Sequence, residues 1–93
     1  MIVGIMTVEL FIPLSDSLKS KRYAIKSIKE RLKNRFNISI SEVDNNDKWQ
    51  RATLGVAMVS NETQYIESNL TKVMNQILGD HRVEVLDSKI MYI

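Results

Sequence analysis

Residues 2–12 read Ile2-Val3-Gly4-Ile5-Met6-Thr7-Val8-Glu9-Leu10-Phe11-Ile12, and the rest of the fold follows from how that run is used. Ile2, Met6, Val8, Leu10 and Ile12 share one parity with Gly4, while Val3, Ile5, Thr7, Glu9 and Phe11 share the other. Both faces of a strand made from this run are largely apolar, which suits a central strand better than an edge. Pro13 closes it. Ser15, Asp16 and Ser17 then offer side-chain oxygens able to accept the free N–H groups of a helical first turn.

Downstream, Leu18, Ile25, Ile28, Leu32 and Phe36 recur at spacings of three, four and seven, predicting an amphipathic helix over residues 18–36. Residues 37–44 read as a second strand, with a parity slip before Val43 that predicts a bulge. Asn45, Asn46, Asp47 and Lys48 supply a turn. Residues 49–60 return as a third strand, with Ala52, Leu54, Val56 and Met58 on one face and Trp49, Arg51, Thr53, Gly55, Ala57 and Val59 on the other. Asn61 and Gln64 have the spacing of a capping box, and Gly79 is expected to end the second helix as its C′ residue. Residues 82–93 give a fourth strand. The order βαββαβ predicts an α+β, ferredoxin-like sandwich in one domain, residues 1–93: a four-stranded antiparallel sheet of order 4-1-3-2 with two helices on one face. The two strands that are apolar on both faces are then the two in the middle.

Composition bounds the function. The chain has 93 residues, 44% hydrophobic and 26% charged, ordinary values for a globular chain. No apolar run approaches the roughly 18 residues of a membrane span, and the N-terminus lacks the basic segment of a secretory signal. There is no cysteine and one histidine, His81, so thiol chemistry is excluded and His-based relays have almost no material. No glycine-rich phosphate signature occurs. Glu42 and Asp44, at alternate strand positions, are expected to project from one face near Asp47. That cluster matches no calcium-loop spacing, and no nucleophile accompanies it. No catalytic residue, cofactor or metal is expected, and the chain reads as non-enzymatic.

Net charge is +2, but its distribution is uneven. Residues 16–36 carry eight basic and two acidic groups, and the remainder carries five basic and nine acidic. At 100° per residue, Lys19, Arg22, Lys26, Lys29 and Lys33 fall within about 80° of one another beside the apolar stripe. Such a stripe can follow phosphates, with RNA or a ribosomal particle as the expected partner. The plainer reading is a solvated face whose lysine stems cover apolar surface. On the helix-free side, Phe11, Trp49 and Arg51 are placed where RNA-recognition domains stack bases, yet Thr53, Gly55 and Ala57 stand where rings belong. Cover by a second copy fits better. Val3, Ile5, Phe11, Trp49, Arg51 and Val59 are the expected interface of a homodimer, formed through the open sheet or an edge strand.

The run Ser17-Leu18-Lys19-Ser20-Lys21-Arg22 resembles the opening of the first helix in the YlxP-like family of small bacterial proteins. The resemblance continues through Arg35-Phe36-Asn37, Glu42-Val43-Asp44, Asp47-Lys48-Trp49-Gln50-Arg51-Ala52 and Leu54-Gly55-Val56-Ala57-Met58-Val59-Ser60-Asn61. It covers essentially the whole chain and is weakest in the last helix and strand. It implies a cytoplasmic, ferredoxin-like protein with no accepted catalytic residues. Genes of that family tend to lie near those for translation initiation and ribosome maturation, so the resemblance also implies RNA or ribosome work.

Overall fold

A computed structural model describes residues Met1–Ile93. The elements are β1 (Ile2–Phe11), α1 (Leu18–Arg35), β2 (Ser39–Asp44), β3 (Arg51–Ser60), α2 (Thr63–Leu78) and β4 (Glu84–Tyr92). The sheet order is β2-β3-β1-β4, the expected order read from the opposite edge. β1 runs antiparallel to both neighbours, with Met6 opposite Val56 and Ile90, and Val8 opposite Leu54 and Ser88.

The parity argument places the core. Met6, Val8, Leu10 and Ile12 from the first strand and its end meet Ala52, Leu54, Val56 and Met58 of β3. Ile25, Ile28 and Leu32 of α1 and Ile66, Leu70, Val73 and Ile77 of α2 close over them. Gly4 is buried where α2 crosses β1, and a Cβ there would collide with Ile66 Cγ2.

Several local expectations change. The third strand begins at Arg51, not Trp49. Ile12 N–H still bonds the Gln50 carbonyl at 2.9 Å, but the chain bends through Trp49 and Gln50. The bulge forms where expected, between Glu42 and Asp44, and Val43 packs over Gly55. Asn61 forms no capping box: Glu62 is the N-cap, its amide bonds Ser60 Oγ at 3.2 Å, and no side chain caps the helix. Gly79 ends α2 at φ −80°, so no left-handed residue is needed there. No helix is long and apolar enough to cross a membrane.

Candidate nucleic-acid interface

α1 is seated by Ser17, whose Oγ accepts the Ser20 N–H at 3.0 Å. Its first turn holds no acid. Lys19 and Lys21 therefore stand near the positive end of the helix dipole, where cations cost a few tenths to about 1 kcal/mol when exposed. Lys19, Arg22, Lys26 and Lys33 are exposed and Lys29 is half-buried. Arg22, Lys26, Lys29 and Lys33 line a shallow cleft of about 400 Å³ with Ile25, Glu30 and Glu42. The molecule contains three ion pairs, Lys21–Glu42, Arg51–Glu9 and Arg82–Asp80, and none involves the five stripe residues. Glu30 and Glu42 border the row, but none of its five cations is held in an ion pair.

Lys21 does something else. It projects into the middle of the apolar stripe, between Ile25 and Ile28, and is fully buried. Its Nζ donates to Glu42 Oε2 at 2.8 Å and to the carbonyls of Asn45, Asn46 and Arg51 at 2.8, 3.1 and 3.3 Å. Asn45 is the one non-glycine residue with positive φ, 60°, a conformation asparagine tolerates. A buried ammonium needs this set of acceptors, since desolvating it unpaired is prohibitive. The Lys21 cage pins the β2–β3 turn to α1. Gln50 fastens the same end, its Nε2 donating to the Pro13 and Ser15 carbonyls at 3.1 and 3.3 Å. Charge counting includes Lys21 but does not separate it from the solvated cations; the available signal was a lysine at a core position of the helical repeat.

The sheet-face residues fall into separate groups. Val3 and Val59 are direct register partners, with Ile5 beside them, whereas Phe11 and Arg51 pair at the opposite end of the ladder. A polar cluster lies nearer Phe11 and Arg51. Thr53 Oγ1 donates to Glu9 Oε2 at 2.8 Å and accepts from Asn45 Nδ2 at 2.9 Å, and Arg51 stands 3.6 Å from the same carboxylate oxygen. Trp49 is 55% exposed and lines an open cleft with Pro13, Leu14 and Lys48. It lies in the bend and is not a strand residue.

The bulge overturns the expectation for the acids. Glu42 sits opposite buried Leu54 and Asp44 opposite Thr53, so they project from opposite faces. No three His, Asp or Glu side chains gather closely enough to share an ion. His81 is exposed in the turn before β4. Beside it, Asp80 takes hydrogen bonds from Arg82 at 3.0 and 2.7 Å, while Arg82 also reaches Ser27 of α1 at 3.2 Å. The Arg82 hydrogen bond holds the Asp80 carboxyl below its ordinary value, and the same bond raises Arg82.

A family model described as "Protein of unknown function (DUF503)" matches residues 3–90. The chain belongs to this family. It is 40% identical over 72 residues to the uncharacterized protein YlxP of Bacillus subtilis (strain 168), covering 77% of this chain and 78% of that protein. Two solved structures share the fold alone. The de novo designed protein LFR1 1, with ferredoxin fold, superposes at TM-score 0.60 and 12% identity, covering 100% of this chain and 84% of the design. The de novo designed protein Foldit4 gives 0.56 and 14%, covering 100% and 97%. Placed on the fold, the Ser17-Leu18-Lys19-Ser20-Lys21-Arg22 and Asp47-Lys48-Trp49-Gln50-Arg51-Ala52 runs meet at one end of the sandwich, joined by Lys21 to the Arg51 carbonyl, while Gln50 ties the second run to the loop just before the first.

Proposed function

We propose that this protein is a non-enzymatic, cytoplasmic RNA- or ribosome-associated binding module that engages phosphates through α1. The observation that carries the reading is the row Lys19, Arg22, Lys26, Lys29 and Lys33, five cations with no acidic partner within ion-pair distance. Cations of this kind meet the nucleic-acid backbone, so they supply affinity and register with little base preference. Fluorescence anisotropy with a structured RNA tests it. Changing Lys19, Arg22, Lys26 and Lys33 together to Gln should weaken binding for every sequence and flatten the salt dependence by about one unit for each phosphate left without its cation. Binding that is absent at about 0.1 M salt, or unaltered in the quadruple variant, defeats the reading.

A second reading, a protein-docking module, draws support from the open sheet face and the loops at its end. Val59, Trp49 and Leu14 are large exposed apolar side chains, and Trp49 is of the aromatic type that anchors protein interfaces. Trp49→Ala should leave RNA affinity within about twofold if α1 is the reader. A larger loss would move the site to the bend.

A further inference from the structure

The two sheet edges are finished differently. β2 is six residues long, bulged, and carries Ser39, Ser41, Glu42 and Asp44, the features that discourage further strand pairing. β4 is nine residues long and leaves Leu86, Ile90 and Met91 at 50%, 45% and 57% exposure. Val3 and Ile93 exchange both backbone hydrogen bonds, at 2.7 and 2.9 Å. By the alternation of an antiparallel ladder, Met91, Lys89 and Asp87 then turn their amides towards β1. Tyr92, Ile90 and Ser88 turn theirs outward. The Ser88 amide agrees: it is taken by Asp87 Oδ1 at 2.9 Å and not by β1.

We propose that β4 pairs antiparallel with β4 of a second copy about a two-fold axis at Ser88, making a continuous eight-stranded sheet. The charges select the register. Outward amides must meet outward amides, so the axis must fall on a residue. Centred on Asp87 or on Lys89, the pairing sets like charges against each other; centred on Leu86 or Ile90, it leaves both charges facing apolar or uncharged residues. Only the Ser88 centre puts Asp87 opposite Lys89 of the second copy, twice, and opposed charges across a ladder stabilise it. The same register sets Leu86 opposite Ile90, covering side chains that one chain leaves exposed. Pairing moves the Ser88 amide from the Asp87 carboxylate to the opposite Ser88 carbonyl and frees Asp87 for Lys89. The irregularity at Leu86 shortens the regular ladder, so the interface is small and its affinity modest. This interface uses the β4 edge, not the α1 stripe, and stands or falls independently of RNA binding.

Analytical ultracentrifugation tests it without assuming any partner. The wild-type chain should reach twice its 10.7 kDa mass at high micromolar concentration. Asp87→Lys alone, or Lys89→Asp alone, should raise the dissociation constant about thirtyfold or more, because two attractive pairs become repulsive. An equimolar mixture of the two single variants should recover a dimer of one copy of each, since their charges are again complementary. Recovery in the mixture also shows that both variants are folded. A wild-type chain that stays monomeric at about 500 µM overturns the proposal. So does a dimer indifferent to both charge reversals, or a mixture that fails to pair while circular dichroism shows both variants folded.

Discussion

At the scale of single residues, Lys21 and Lys26 share one helix and serve opposite ends. Lys21 is enclosed by one carboxylate and three carbonyls; Lys26 is in solvent. Removing one member of a buried pair strands the other, at a cost of about 3–5 kcal/mol. Lys21→Met should therefore lose about that much in urea unfolding, with the RNA salt slope unchanged in whatever remains folded. Glu42→Gln added to Lys21→Met should recover part of it, because no buried anion is left alone. Lys26→Gln should do the reverse, lowering the salt slope by about one unit with little change in stability. Asp80 gives a pH signature. Its folded value lies below the ordinary 3.8, so the unfolded chain takes up the proton more readily. Its contribution is thus fully present above about pH 3.8 and is lost as pH falls from there through the folded value. The stability gap between wild type and Asp80→Asn should be constant from pH 7 to 5 and shrink below pH 4. A gap that widens in acid would show that Arg82 is not what holds this carboxylate.

At the scale of elements, α1 is stabilised by burial and opposed by its own charge. Five unpaired cations along one stripe repel each other, and Lys19 adds an unfavourable charge near the dipole's positive end. Salt screens exposed charges over about 10 Å at 0.1 M. The wild-type melting temperature should therefore rise between about 0.02 and 0.5 M NaCl. The Lys19, Arg22, Lys26 and Lys33 glutamine variant should start higher and respond less, as expected where function is retained against stability. A melting temperature unaffected by salt would favour a solvated face with no such cost. Where α2 meets β1, the approach is close enough to exclude a methyl group. Gly4→Ala should cost about 1–3 kcal/mol because Ile66 is fixed in the core and cannot move aside.

At the scale of the molecule, a body of 42 × 21 × 18 Å carries its positive charge on one helix and a net negative charge elsewhere. A two-fold axis through antiparallel β4 strands stands perpendicular to the sheet, so both helix layers lie on one side of the pair. α1 packs on β2 and β3 through its Lys21 cage, at the far side from β4, so the two basic stripes lie at opposite ends of the dimer. Two such sites on one particle raise the effective concentration for a long polyanion and do nothing for a short one. Asp87→Lys should lower affinity for an RNA long enough to span both ends and leave a short hairpin unaffected. A gain on both would mean that the added positive charge acts on the RNA directly.

What the sequence determined by itself is periodic. Period two in residues 2–12 and 49–60, and the three-four-seven spacing of Leu18, Ile25, Ile28 and Leu32, define elements whose apolar faces can be buried in few ways. The strand order and the core residues follow. The basic stripe was legible for the same reason, since one helix fixes the angles between its side chains. The bends, caps and cages were decided by tertiary structure. Lys21 becomes a core residue only when Glu42 and three carbonyls from a distant turn converge on it. Glu42 and Asp44 part company because one bulged residue reverses the alternation on which their pairing rested. Trp49 leaves the strand where Gln50 is tied to the loop after β1. Each depends on groups far apart in the chain meeting at hydrogen-bond distance, and no local pattern encodes that meeting.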